Sequence, residues 1–213
     1  MNTRSFSENR RTLLIGLCAG ATIPALQGCF PIVAGGAAGA VAMYADRRTS
    51  GAYVEDEGIE WRTRSRLRER FGSSVNISVT SYNRNVMLTG QVPDEATRTE
   101  AGRIAAGVDN VQGIINELEI AGLSSLTSRS NDALITSRVK ARFVDDQSFA
   151  ANHVKVVTEA GTVFLMGIVT RREADAATEV ARMTSGVQRV VRVFEYVSDE
   201  EAARLDRRTQ AQN

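Results

Sequence analysis

Cysteine and histidine, the side chains best suited to nucleophilic and acid–base catalysis, are scarce in this sequence. Its 213 residues include two cysteines, Cys18 and Cys29, and one histidine, His153. No cysteine follows Cys29, and His153 is expected at a surface or loop position, at the start of a predicted strand. The acidic clusters Glu55-Asp56-Glu57 and Asp145-Asp146 lack the periodicity of metal ligands and are expected to be solvated. We therefore predict no catalytic residues and no metal site, and hence no enzyme.

Cys29 has the sequence context of a lipid attachment site. Residues 1–11 carry three arginines, an uncharged stretch follows to Ala25, and Leu26-Gln27-Gly28-Cys29 comes next. A basic stretch, a short apolar stretch and small residues before the cut are typical of a cleaved export signal. The last four residues resemble the bacterial lipobox, in which the cysteine is acylated and becomes the first residue of the mature chain. The sequence thus predicts a signal peptide over 1–28 and lipidation of Cys29, for instance with palmitate, with no other cofactor.

The segment over 29–53 is predicted to be a tether. Residues 30–45 are uncharged and rich in Gly and Ala, and Gly35 and Gly39 have the GxxxG spacing that packs helices in membranes. Sixteen residues are few for a membrane span, which favours a flexible or membrane-hugging tether.

Charge gives no general attraction to nucleic acid. The formal net charge of the whole chain is +1, and export makes nucleic acid an improbable partner. Any affinity for anions must come from local patches.

An internal repeat organises the rest of the chain. Four segments of a first copy recur in order in a second copy, and we align residues 66–71 with 138–143, 76–80 with 153–157, 86–92 with 163–169 and 111–115 with 187–191. This alignment places the five extra residues of the second copy in a loop over 144–152. Hydrophobic periodicity predicts helix, strand, strand, helix and strand in each copy, with Asn131 capping the first helix of the second.

Two helices on one side of a three-stranded mixed sheet make a small α+β sandwich, and the chain is predicted to hold two in tandem. This element order resembles the BON domain, most specifically at Asn131-Asp132-Ala133-Leu134-Ile135-Thr136 and Val163-Phe164-Leu165-Met166-Gly167. We place the two domains at 54–122 and 131–198. The serine-rich residues 123–130 are predicted to be a linker, and the charged residues 199–213 a disordered tail.

The first helix of the second copy carries an apolar stripe opposite its predicted core side. At 100° per residue, Leu134, Ser137, Ala141 and Val144 gather there, flanked by Arg138 and Lys140. Our alignment pairs this stripe with a charged face in the first copy, namely Arg62, Ser65, Glu69 and Gly72. An apolar stripe bordered by cations suits the interface of an anionic bilayer, but Leu134 and Val144 are equally suited to packing against the other domain or a partner protein.

Two further differences separate the copies. The first copy has five alternating arginines from Arg62 to Arg70 beside Trp61, which either pair with neighbouring acids or contact anionic headgroups. The second copy has Phe164, Met166 and Ile168 on the sheet side that its own helices do not cover. We predict that these three side chains are buried between the two domains.

The signal, the lipobox, the tether and the two repeats together resemble the dual BON-domain outer-membrane lipoproteins of Gram-negative bacteria (the DolP family). The resemblance implies a lipid-anchored protein on the periplasmic side of the outer membrane that binds anionic phospholipid through its second BON domain. The phospholipid-binding residues would be those of the stripe, Leu134, Ser137, Arg138, Lys140, Ala141 and Val144. It also implies a role in envelope integrity, with division or outer-membrane assembly proteins as partners. The alternative is a periplasmic protein-binding adaptor or chaperone.

Overall fold

The computed structural model describes residues 46–122 and 126–211. The predicted signal, Cys29 and most of the predicted tether lie outside the described residues. Five helices and six strands follow in the order α1 (Ser50–Phe71), β1 (Asn76–Tyr82), β2 (Asn85–Val92), α2 (Glu95–Ala106), β3 (Gly113–Ile120), α3 (Leu126–Asp145), β4 (Lys155–Glu159), β5 (Thr162–Val169), α4 (Arg171–Arg182), β6 (Arg189–Tyr196) and α5 (Asp199–Ala211). A short 3₁₀ turn, Ala151–His153, precedes β4.

Each copy forms a mixed three-stranded sheet with the second strand in the centre. The order is β1-β2-β3 in the first domain and β4-β5-β6 in the second. The first pair of strands in each sheet is antiparallel and the second pair is parallel, joined by a helix. The predicted fold, two tandem α+β sandwiches, is confirmed.

Alternate residues of the central strands face two different cores, as the period of a strand requires. In β5, Val163, Leu165 and Val169 pack with α3 and α4. The residues between them, Phe164, Met166 and Ile168, form a third cluster with Tyr82 and Met87 of the first sheet. The predicted burial of this second side between the domains is confirmed, and the layers run helices, sheet, sheet, helices.

The structure corrects the repeat alignment in the first helix. Buried residues of α1 match those of α3 at a constant spacing of 76, and the pairs are Asp56 with Asp132, Ile59 with Ile135, Thr63 with Val139 and Leu67 with Phe143. The sequence alignment placed α1 four residues too late, at a spacing of 72. A shift of four residues is close to one helical turn, so it preserves the buried face and periodicity cannot detect it.

The predicted linker is also shorter than expected. Helix α3 begins at Leu126, and Asn131 therefore lies inside the helix and does not cap it. Serine-rich sequence favours turns, but here residues 126–130 extend a helix whose buried side begins at Asp132.

The predicted tether and the predicted disordered tail both contain ordered structure within the described residues. Asp46, Arg47 and Arg48, assigned to the tether, are buried, and α1 starts at Ser50. The predicted tail forms α5 up to Ala211. Its charged composition indicated disorder, but some of its charges pair with the buried N-terminal segment, as described below.

Candidate lipid-binding surface

Helix α3 buries one side and leaves the predicted stripe in solvent. Ile135, Val139 and Phe143 are fully buried against the second sheet. On the opposite side Leu134 is 56% exposed and Val144 74% exposed. Ser137, Arg138, Lys140 and Ala141 are exposed as well. The structure therefore brings all six predicted residues onto one accessible face, and it excludes packing of Leu134 and Val144 into the contact between the domains.

The cations of this face are exposed and make no ion pair within residues 46–122 and 126–211. They are Arg138, Lys140 and Arg142. Arg142 donates a hydrogen bond to the backbone oxygen of Met183 at 2.6 Å. An exposed cation without a carboxylate beside it keeps its full charge available to an external anion.

Comparison with known proteins identifies the family. The BON domain family matches residues 56–122 and 131–198. The chain is 36% identical over 185 residues to the outer membrane lipoprotein DolP of Haemophilus influenzae, covering 86% of this chain and 95% of that one. The chain belongs to the dual BON-domain DolP family. The predicted outer-membrane, lipid-anchored localisation is thereby confirmed.

Two further relatives are similar over shorter stretches. A 21 kDa hemolysin of Actinobacillus pleuropneumoniae is 36% identical over 154 residues, which cover 71% of this chain and 79% of the hemolysin. The osmotically-inducible protein Y of Escherichia coli is 31% identical over 144 residues, covering 66% of this chain and 72% of that protein.

The two BON domains of this DolP-family chain differ most on the outer side of their first helix. At the corrected spacing of 76, the positions of Leu134 and Val144 are occupied in the first domain by Gly58 and Arg68. The predicted counterpart face, Arg62, Ser65, Glu69 and Gly72, was therefore wrong. The corrected spacing places Trp61 on this face, and its side chain is 70% exposed. Apolar exposure is therefore present on both helices, although at different positions.

Three arginines of α1 are paired with acids, in contrast to the cations of α3. Arg62 donates to Glu55 at 2.6 Å, Arg64 pairs with Glu60, and Arg70 lies 3.7 Å from Glu100. The positions of Glu55 and Glu60 carry Asn131 and Thr136 in the second domain, and those of Arg62 and Arg64 carry Arg138 and Lys140. The second domain therefore has cations at the two arginine positions and no carboxylates at the two glutamate positions.

A buried ionic cluster joins the N-terminal segment to the second domain and to α5. The guanidinium of Arg47 donates to Glu173 at 2.7 Å, to Asp206 at 2.8 Å and to the backbone oxygen of Ile168 at 2.9 Å. His153 lies beside it, 3.9 Å from Glu173 and 3.6 Å from Asp206. His153 is buried, so the expected surface position was wrong, but it does lie in a loop, the 3₁₀ turn before β4. The charges of Arg47, Glu173 and Asp206 are thus paired with one another inside the cluster.

Asp56 is not solvated, contrary to the prediction for the acidic cluster Glu55-Asp56-Glu57. It is fully buried and accepts hydrogen bonds from Arg48, the Ser81 hydroxyl and the backbone N–H groups of Asn83 and Arg84. Of the acidic cluster predicted to be solvated, Asp56 therefore has a structural role. Sequence alone does not distinguish a buried carboxylate in an acidic cluster from a solvated one, because burial depends on its hydrogen-bond partners.

Neither a metal cluster nor a membrane-spanning helix occurs in the part of the chain that the structure describes. Residues 46–122 and 126–211 contain no group of three or more potential metal ligands. None of the helices in these ranges is long and apolar enough to cross a bilayer.

Proposed function

We propose that this lipoprotein binds anionic phospholipid through the outer face of α3 and supports envelope integrity without catalysing a reaction. One observation carries the proposal. Leu134 and Val144 are exposed on the same helix as Arg138 and Lys140, and no ion pair neutralises these cations within the described residues.

The chemistry of a bilayer interface fits this face. Leu134 and Val144 can enter among the acyl chains while Arg138 and Lys140 meet the phosphates. Each basic residue close to an anionic surface contributes about 1 kcal/mol. Ser137 and Ala141 are small, so they let the helix approach the headgroups along its length.

Attachment to the membrane is proposed to rest on Cys29 rather than on α3. One acyl chain gives only marginal anchoring, whereas several acyl chains on one cysteine hold a protein firmly. We infer that the mature chain begins at Cys29 and faces the periplasm. Phe30 follows, where an Asp would favour retention at the inner membrane in related bacteria. The face of α3 then selects where an already tethered protein settles.

A second candidate function is a protein-binding adaptor, linked to division or to outer-membrane protein assembly. Trp61 favours it, since an exposed tryptophan on α1 is a typical anchor of protein interfaces. Helices α1 and α3 lie on opposite outer layers, so this side stays accessible when α3 contacts a bilayer.

Vesicle co-sedimentation tests the proposal and separates the two candidates. The lipid-free chain from residue 29 onward, with Cys29→Ser, contains all three hydrophobic clusters. We expect it to bind vesicles containing phosphatidylglycerol and not vesicles of phosphatidylcholine alone. Leu134→Glu with Val144→Glu should abolish binding, because each places a carboxylate among anionic headgroups.

A matched double variant on α1 serves as the control. Val54→Glu and Trp61→Glu add the same two charges at exposed positions of the first domain. Binding should be unchanged in this variant. Loss of binding in the α1 variant and not in the α3 variant would refute the proposal.

A further inference from the structure

We propose that the loop between α4 and β6, which begins at Met183, is a second membrane-inserting element beside α3. The inference rests on the proposed function and extends it to a segment distant in sequence. The ligand is the same, an anionic phospholipid surface.

The loop is bound to the outer face of α3. The Arg142 guanidinium donates to the backbone oxygen of Met183 at 2.6 Å, and Arg138 makes a longer contact of 3.5 Å with the backbone oxygen of Ser185. The same two arginines belong to the cationic border of the stripe. The loop therefore lies along the edge of α3 where headgroups would bind.

Gly186 permits this close approach. Its φ is +96°, a conformation that side chains rarely adopt, and a Cβ there would lie 3.0 Å from Cγ1 of Ile135. Ile135 is a fully buried residue of α3. The loop therefore packs closely against α3, and the contact between Gly186 and the buried Ile135 determines its position.

Met183 exposes most of its side chain at this place. The side chain is 62% exposed, and the residue follows directly after α4. Leu134 and Val144 are exposed on the neighbouring α3, whose cations make no ion pair within the described residues. A flexible apolar side chain in solvent is well suited to entering the acyl region.

The first domain has the same contact between its first helix and the loop after its second helix, but that loop has no methionine. Arg66 donates to the backbone oxygen of Gly107 at 2.6 Å, at the positions that Arg142 and Met183 occupy 76 residues later. The arginine–carbonyl contact is therefore a property of both BON domains, whereas the methionine belongs to the second alone. Gly107 provides a matched control position.

Site-specific fluorescence tests the inference. The lipid-free chain with Cys29→Ser has no other cysteine after residue 28, so Met183→Cys, Leu134→Cys or Gly107→Cys places one environment-sensitive dye each. With phosphatidylglycerol vesicles we expect a blue shift and a rise in intensity at positions 134 and 183, and no change at 107. Vesicles of phosphatidylcholine alone should leave all three spectra unchanged.

The three positions separate the possible failures. A shift at 134 without one at 183 would overturn the inference and leave the proposed function standing. No shift at either would defeat both. A shift at 107 as large as that at 183, or equal shifts with neutral vesicles, would show unspecific adsorption and would also overturn the inference.

A quantitative variant supports the spectroscopic test. Met183→Gly restores the residue of the first domain and should weaken vesicle binding about tenfold, the effect of losing one partly inserted side chain. The thermal midpoint should stay unchanged because the side chain is exposed. An unaltered affinity in Met183→Gly would contradict a membrane role for the loop.

Discussion

The carboxylates of Asp56 and Asp132 attach the hairpin turn of each domain to its first helix. Asp132 accepts hydrogen bonds from the N–H groups of Ala160 at 3.0 Å and Gly161 at 2.8 Å. Both turn residues have positive φ, which is energetically unfavourable for Ala160. The buried carboxylate therefore stabilises a turn that its own sequence disfavours, and the repeat preserves the arrangement.

We predict that Asp132→Ala lowers the free energy of unfolding by roughly 2–3 kcal/mol, because two backbone donors lose their charged acceptor. Asp145→Ala is the control, an exposed aspartate at the end of the same helix. Urea denaturation of the lipid-free chain measures both. Equal stabilities of the two variants would contradict the structural role of Asp132.

The second residue-scale prediction concerns acid. Burial alone would raise the pKa of Glu173, but His153 and the hydrogen bonds from Arg47 and Thr170 outweigh it and hold the pKa well below its usual range. A depressed carboxyl pKa stabilises the fold above the unfolded value of about 4.3, and this contribution is lost as pH falls toward the folded value. Glu173→Gln should therefore lower stability at pH 7 by roughly 3 kcal/mol and weaken the loss of stability below pH 4. Parallel pH–stability curves for the two proteins would refute it.

At the scale of elements, α5 and the N-terminal segment hold each other. Asp206 binds Arg47, the Thr209 hydroxyl donates to the backbone oxygen of Asp46, and Arg208 donates to that of Arg47. Leu205 packs against the cluster between the sheets, and Ala202 is buried. One side of this highly charged helix therefore packs against the rest of the protein, which its composition alone did not indicate.

We predict that ending the chain after Ser198 lowers the free energy of unfolding by roughly 2–4 kcal/mol, through loss of the Leu205 contacts and of one partner of Arg47. Thermal unfolding followed by circular dichroism measures it. Replacing the exposed Arg204 and Arg207 by alanine controls for charge loss on the solvent side. A truncated chain as stable as the full one would show that α5 does not contribute.

At the scale of the whole molecule, the two domains share a core. Phe164, Met166 and Ile168 meet Tyr82 and Met87, and polar contacts such as Gln91 to Glu159 at 2.8 Å surround them. A BON domain of about 70 residues buries little apolar surface alone. We expect the tandem pair to unfold as one cooperative unit.

Met166→Glu should lower the free energy of unfolding by more than about 3 kcal/mol, since a carboxylate would be buried between the sheets without a partner. Met183→Glu makes the same replacement at an exposed methionine and should change stability by less than about 0.5 kcal/mol. Differential scanning calorimetry should show a single transition in the unmodified protein. Two independent transitions, or similar effects of both variants, would contradict the shared core.

Some features of this protein follow from sequence because they depend on local periodicity and composition. The strand alternation around Met166 predicted an uncovered apolar side. Helical periodicity placed Leu134 and Val144 opposite the buried side of α3, and the structure then showed that they are exposed. The repeat predicted the fold of both domains. These are properties of the period of a strand or helix, which the residues of one element express by themselves.

The tertiary structure decided what depends on partners far apart in the chain. The register of α1 came from Asp56 and its contact with the turn at Asn83, because a shift of one helical turn leaves periodicity unchanged. Residues 46–48 and α5 are ordered through the contact between Arg47 and Asp206, which lie 159 residues apart. The position of Met183 beside α3 depends on the hydrogen bond that Arg142 donates to the Met183 backbone oxygen. In each case a charged or backbone group is satisfied by a distant one, and sequence shows the charge but not the partner.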